Sequence, residues 1–252
     1  MLKFFRHIRK KLMEQNKVRT YLLYAVGEIL LVVIGILIAL QVNNWNEARK
    51  EHQQYLALLE NLRTDAETNM VRLSDDHNQA VVVRDRIEQF LTMISSDDKD
   101  IPVDTLAFYS GSLFQIDSFS TPATSAYETA KSTGQIGMIK DKTLQELYLE
   151  FGEKRQWVEF QIELSGDMVY STSFWELRKR VGSMAVFRNS NTDPYPNEYQ
   201  LTEQEYRDML GEKAIFAAAE SMLWIERNLV RGISNMKTIN DEILQGLNEL
   251  LE

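Results

Sequence analysis

Side chains that could bind a metal ion or transfer protons are few in this sequence, and their spacing does not suit such chemistry. The chain has 252 residues and no cysteine, which excludes thiolate nucleophiles, disulfides and cysteine-based zinc or iron–sulfur sites. Its three histidines, His7, His52 and His77, have no second ligand at the spacing of a zinc site. The sequence therefore gives little support for catalysis or metal binding by histidine or cysteine.

Two acidic clusters have the residue types that bind a hard cation. They are Asp75-Asp76-His77 and Asp97-Asp98-Lys99-Asp100, and closely spaced carboxylates favour calcium. Such runs more often form a solvated helix face or a helix end, and neither fits the EF-hand pattern. The sequence also contains no serine-nucleophile, phosphate-loop or zinc-protease pattern. We therefore expect no catalytic residue, no cofactor and no metal, and a protein that is not an enzyme.

A single acid lies inside a long apolar stretch. From Leu22 to Val42 there are 21 residues, of which only Glu28 is charged. As a helix this stretch would be about 31 Å long, which matches the hydrocarbon core of a bilayer of roughly 30 Å. The apolar run is longer than the core of a cleaved signal peptide. Residues 21–45 are therefore predicted to be an uncleaved transmembrane signal anchor.

Glu28 shares one face of that helix with Gly35 and Ala39. Small residues let two helices approach closely, and an acid within the membrane is more stable against protein than against lipid. The three residues are predicted to form a membrane-helix interface through which the chain associates with itself. Two alternatives stay open, namely a protonated or snorkelling Glu28 on a lone helix and a role in ion or proton coupling.

Charge is distributed unevenly on the two sides of the apolar stretch. Residues 1–20 carry a net charge of +6, and the whole chain carries −9, so the remainder carries −15. Basic residues beside a span are retained in the cytoplasm, which predicts a cytoplasmic N-terminus. The leader, residues 1–20, reads as an amphipathic interfacial helix or as a basic flank that only sets orientation. The predicted exterior domain, residues 46–252, is also acidic, which disfavours nucleic acid as a partner.

The run from Lys3 to Glu47 resembles a known sequence signature. KFFRHIRKKLMEQNKVRTYLLYAVGEILLVVIGILIALQVNNWNE is similar to the N-terminus of an uncharacterised bacterial family of small single-pass membrane proteins. A weaker likeness lies in TSAYETAKSTGQIGMIKDKTL, from Thr124 to Leu144. The resemblance implies a membrane location and kinship over nearly the full length. Together with the charge distribution, it predicts a location in the bacterial inner (cytoplasmic) membrane with a periplasmic main domain. It supplies no substrate, cofactor or catalytic residue, because the family's domain has no known function.

The residues after the anchor follow helical periodicity. Apolar stripes at three- and four-residue spacing predict helices, with polar Asn69 and Asp76 at two positions of the first stripe. The aromatic side chains of Trp157, Phe160, Phe174 and Trp175 are predicted to lie in the core. The predicted helices are a continuation of the anchor to about Ser95, Asp104 to Leu113, Pro122 to Ser132 with Ser120 or Thr121 as cap, Lys142 to about Val181 after Asp141, a helix after the Thr202–Glu205 capping box, and Glu212 to Leu251.

The predicted fold class is all-α. One N-terminal transmembrane helix continues into an extracytoplasmic antiparallel helical bundle, residues 46–252, although the seam of the last helix also fits a homotypic coiled coil. The favoured function is a membrane-anchored scaffold that assembles with itself or with another envelope protein and with the lipid bilayer. The alternatives are a sensor-like ligand-binding module with a transmembrane relay, and an ion-coupled or channel-forming oligomer that uses Glu28.

Overall fold

The computed structural model describes residues 18–96, 100–114, 119–170 and 202–252. All regular structure in these ranges is helical, as the sequence predicts. The described ranges contain six α-helices: α1 (Val18–Ser95), α2 (Val103–Ser110), α3 (Ser125–Thr133), α4 (Lys142–Tyr170), α5 (Glu203–Leu210) and α6 (Lys213–Leu251). In addition, 3-10 turns follow α2 at Gly111–Phe114 and α3 at Gln135–Met138.

Helix α1 is a single helix of 78 residues, which confirms that the helix of the apolar stretch continues to Ser95. Between Asn46 and Ser95 the sequence has neither proline nor glycine, the two residues that most disfavour a helix interior. The chain divides into two compact units, Met1–Ala57 and Leu58–Glu252. In the first unit, the polar residues 46–54 are exposed.

Local signals set most of the helix ends that follow. The Asp141 carboxylate accepts a hydrogen bond from the Leu144 amide at 2.9 Å, which caps α4 as expected. At the start of α5, Thr202 and Glu205 form the predicted capping box. Helix α3 ends at Gly134, whose φ of 78° lies in the left-handed region that favours glycine.

Helices α4 and α6 pack as an antiparallel pair. A Cβ on Gly232 would meet the Trp157 and Val158 side chains, whereas one on Gly246 would meet Leu144. Residues nearer the C-terminus of α6 therefore contact residues nearer the N-terminus of α4. Fifteen of the 39 residues of α6 are buried, against six of the 29 in α4, so α6 is the more central helix.

The second half of α1 also packs against α6. The Arg227 guanidinium bonds the Glu88 carboxylate at 2.7 Å, and the Asn240 amide donates to the Ala66 carbonyl at 2.9 Å. From the first contact to the second, the residue number rises on α6 and falls on α1, so the two helices are antiparallel there. One apolar cluster joins five helices and the turn after α2, and it contains Val83, Ile87, Phe90, Leu106, Leu113, Val169, Tyr206, Met209, Leu210, Ile215, Ala218, Ala219, Met222 and Leu223.

Two details differ from the sequence predictions. Helix α3 begins at Ser125 instead of Pro122, because the backbone before it is hydrogen-bonded to α1. Trp157 and Phe160 are 39% and 57% exposed, so the prediction that they lie in the core is wrong. They flank the buried stripe of α4, which contains Val158 and Gln161. Phe174 and Trp175 lie outside the described residues.

Candidate functional site

The predicted membrane-helix interface, Glu28, Gly35 and Ala39, lies on α1 within the first unit. Spacings of seven and eleven residues place the three on one helix face over about 17 Å. Glu28 is half-buried and Ala39 is exposed. A Cβ on Gly35 would meet no atom within 4 Å, so this face is uncovered at Gly35.

The apolar surface around this stripe is exposed along its whole length. Fourteen large apolar side chains between Leu22 and Val42 are 43–69% exposed. In the part of the chain that the structure describes, α1 is the one helix that is long and apolar enough to cross a membrane. None of the most apolar segment of α1 is buried, whereas the core helix of a globular domain is mostly buried.

A second site, which the sequence did not reveal, lies further along α1. Asp65, Asn69, Arg72 and Asp76 follow one another at spacings of four, three and four residues, so they share a helix face. We refer to these four residues as the polar ladder. All four bind the chain between Ser120 and Ala126, which runs antiparallel to α1.

The two buried members of the polar ladder each make a pair of hydrogen bonds. Asn69 donates to the Ala123 carbonyl at 3.0 Å and accepts from the Ala123 amide at 2.7 Å. The two Asp76 oxygens accept from the Ser120 amide and the Ser120 hydroxyl, both at 3.0 Å. Buried backbone groups need such partners, because an unsatisfied one costs about 1–3 kcal/mol.

The other two members bind the same segment nearer the surface. Arg72 donates to the Thr121 carbonyl at 2.8 Å, and the Asp65 carboxylate accepts from the Ala126 amide at 2.8 Å. Ala126 is the second residue of α3, whose own cap residue, Thr124, makes no side-chain cap bond. Asp65 therefore supplies from another helix the hydrogen bond that a cap residue ordinarily makes.

The polar ladder accounts for one of the two acidic clusters. Burial raises the pKa of Asp76, and the hydrogen bonds from Ser120 oppose this rise. Both Asp76 oxygens are occupied by Ser120, which leaves this carboxylate a structural role. In the described ranges no group of three or more histidine, aspartate or glutamate side chains is placed to hold a metal ion. Asp97, Asp98 and Lys99 lie outside those ranges.

Burial also shifts the pKa values of His77 and Tyr148. Burial lowers the pKa of His77, and the positive charges of Lys237 and Arg84 lower it further. Burial also raises the pKa of Tyr148, whose ring stacks on Tyr127 with centroids 4.7 Å apart. Burial is the largest cause of both shifts.

Buried polar side chains also lie between α4 and α6. Gln161, Ser165 and Glu226 are at most 3% exposed. The Ser165 hydroxyl contacts the Met222 sulfur at 3.7 Å. The Gln161 carbonyl oxygen has no hydrogen-bond partner within the described parts of the chain. Polar groups inside a helix pair favour one register of packing over its neighbours.

The described residues of the second unit include the linings of two surface grooves. The larger, of about 680 Å³, lies among α1, α4 and α6 and is lined by Leu91, Leu164, Met168, Phe216 and Trp224, among others. The smaller, of about 530 Å³, lies between the end of α1 and α5, where Arg207 bonds both the Ile101 carbonyl and Glu203. Neither groove contains a nucleophile paired with a base among its lining residues.

Comparison with known proteins places the chain in a family. No curated protein and no solved structure matches it. A family model described as a family of unknown function, DUF6090, matches residues 28–160. The match covers α1 from Glu28 onward, the polar ladder, the segment bound to it and α4 as far as Phe160; residues 3–27 of the N-terminal run lie outside it. Because the match covers more than half of its length, the chain belongs to this family of unknown function, DUF6090.

Proposed function

We propose that this protein is a membrane-anchored helical scaffold of the bacterial cell envelope, which assembles with itself or with another envelope protein and catalyses no reaction. The observation that carries the proposal is the uncovered apolar surface of α1 between Leu22 and Val42. The continuity of that stretch with a helix reaching Ser95 supports an anchor attached directly to the second unit.

The size of the exposed surface supports a bilayer as its cover. Full burial of a large aliphatic side chain is worth about 1.5–3 kcal/mol, so covering these fourteen roughly half-exposed side chains is worth on the order of 10–20 kcal/mol. A typical domain is stable by about 5–15 kcal/mol in total. Leaving this surface in water would therefore cost about as much free energy as the whole stability of an ordinary domain.

The charge distribution supports an orientation for the anchor. The net charge of +6 on residues 1–20 favours a cytoplasmic N-terminus, and the acidic remainder would then lie in the periplasm. There the second unit would form an antiparallel bundle, since α6 packs against both α1 and α4. This arrangement leaves the outer helix faces available to envelope partners.

A scaffold role is further supported by what the polar side chains do. Asp65, Asn69, Arg72 and Asp76 all hold the protein's own backbone. A carboxylate that accepts hydrogen bonds from one backbone amide and one hydroxyl group is not free to bind substrate. These interactions stabilise the fold and are not poised for a reaction.

The assembly claim can be tested with two glycine variants. An added Cβ meets nothing within 4 Å at either Gly35 or Gly27, so a side chain can be added at either position without a clash at its Cβ. The two glycines are eight residues apart and face directions about 80° apart around α1. We expect Gly35→Leu to weaken the oligomer at least tenfold and Gly27→Leu to leave it nearly intact.

The measurement is native mass spectrometry of the full-length protein in mild detergent, together with cross-linking in membranes. An unmodified protein that stays monomeric in both would contradict self-assembly. Equal effects of the two variants would contradict an interface at Glu28, Gly35 and Ala39. Partners cross-linked to a wild-type monomer would instead support assembly with another envelope protein.

A further inference from the structure

We draw no further inference here: the strongest candidate, the apolar groove of the second unit lined by Leu91, Leu164, Met168, Phe216 and Trp224, carries nothing because nothing in the described residues shows what covers it.

Discussion

At the scale of single residues, the side chains of the polar ladder stabilise a backbone segment that is distant in the sequence, whereas such segments are usually stabilised by neighbouring residues. Turns and helix starts are ordinarily stabilised by serine, threonine, aspartate or asparagine close by in the sequence. Here Asp65, Asn69, Arg72 and Asp76 stabilise a segment that lies 44 to 61 residues further along the chain. The conformation of that segment therefore depends on α1.

Asn69 is the member whose loss we expect to cost most. Alanine at this position removes both bonds to Ala123 and leaves the Ala123 amide and carbonyl without them. We expect the free energy of unfolding to fall by about 2–3 kcal/mol. Chemical denaturation of the full-length protein in detergent, followed by tryptophan fluorescence, measures the change. Asn78→Ala is the matched control, since Asn78 is exposed on the same helix, and it should change stability by less than about 0.5 kcal/mol. Equal stability of the two variants would contradict the role of Asn69.

Asp76 makes the stability of the fold depend on pH. Because burial raises its pKa above the ordinary value of 3.8, the folded protein holds this proton more tightly than the unfolded protein. The contribution of Asp76 to the free energy of unfolding should therefore improve as the pH falls from 7 toward 4. Relative to Asp76→Asn, the unmodified protein should gain stability over this interval.

Denaturation of both proteins at several pH values tests this expectation. Asp241→Asn, at an exposed position on α6, corrects for the general loss of one negative charge. If acidification instead lowers the stability of the unmodified protein relative to Asp76→Asn, the expected pH dependence is wrong.

At the scale of helices, the sequence predicts ends that local chemistry determines. Gly134, Asp141 and the Thr202–Glu205 capping box act where the sequence places them. The start of α3 could not be predicted, because Pro122 and its neighbours look like a helix N-terminus until Asn69 and Asp76 are placed beside them. The polar positions of α1 were visible in the sequence, but their partners were not.

Side-chain exposure on α4 is a second feature that could not be predicted from the sequence. Val158 and Gln161 face inward, whereas Trp157 and Phe160, one residue before each, are partly exposed. A shift of one residue turns a side chain by about 100° around a helix. Aromatic character alone therefore favoured the wrong pair, and the buried Gln161 gave no apolar signal.

The close approach of α4 and α6 depends on Gly232. A Cβ at this position would lie 2.5 Å from Trp157 Cζ3 and 2.7 Å from Val158 Cγ2. We expect Gly232→Ala to lower the free energy of unfolding by about 1–3 kcal/mol, even though alanine favours a helix more than glycine does.

Gly246→Ala is the matched control on the same helix. Its Cβ would meet Leu144 Cδ1 at 3.7 Å, an ordinary contact, so stability should stay level or rise by up to about 1 kcal/mol. Thermal unfolding of both variants in detergent separates the two cases. A Gly232→Ala variant as stable as Gly246→Ala would mean that α4 and α6 are not packed as closely as described.

At the scale of the whole molecule, the proposed function depends on the bilayer. The second unit has a core of its own, whereas the apolar surface of the first unit has no cover among the described residues. The sequence predicted the length and apolar character of α1 because both are local properties. The identity of a partner is set by surfaces that the sequence does not label, and membership of a family of unknown function adds no partner.

Cysteine accessibility tests the membrane topology most directly, because the chain has no cysteine of its own and single-cysteine variants report without background. Arg9→Cys labels the leader, and Gln245→Cys labels an exposed position on α6. We predict that a membrane-impermeant maleimide applied to intact spheroplasts modifies the full-length Gln245→Cys protein and spares Arg9→Cys until the cells are lysed. Protection of the cysteine at position 245 in intact spheroplasts, or release of the protein into the aqueous fraction, would contradict the account.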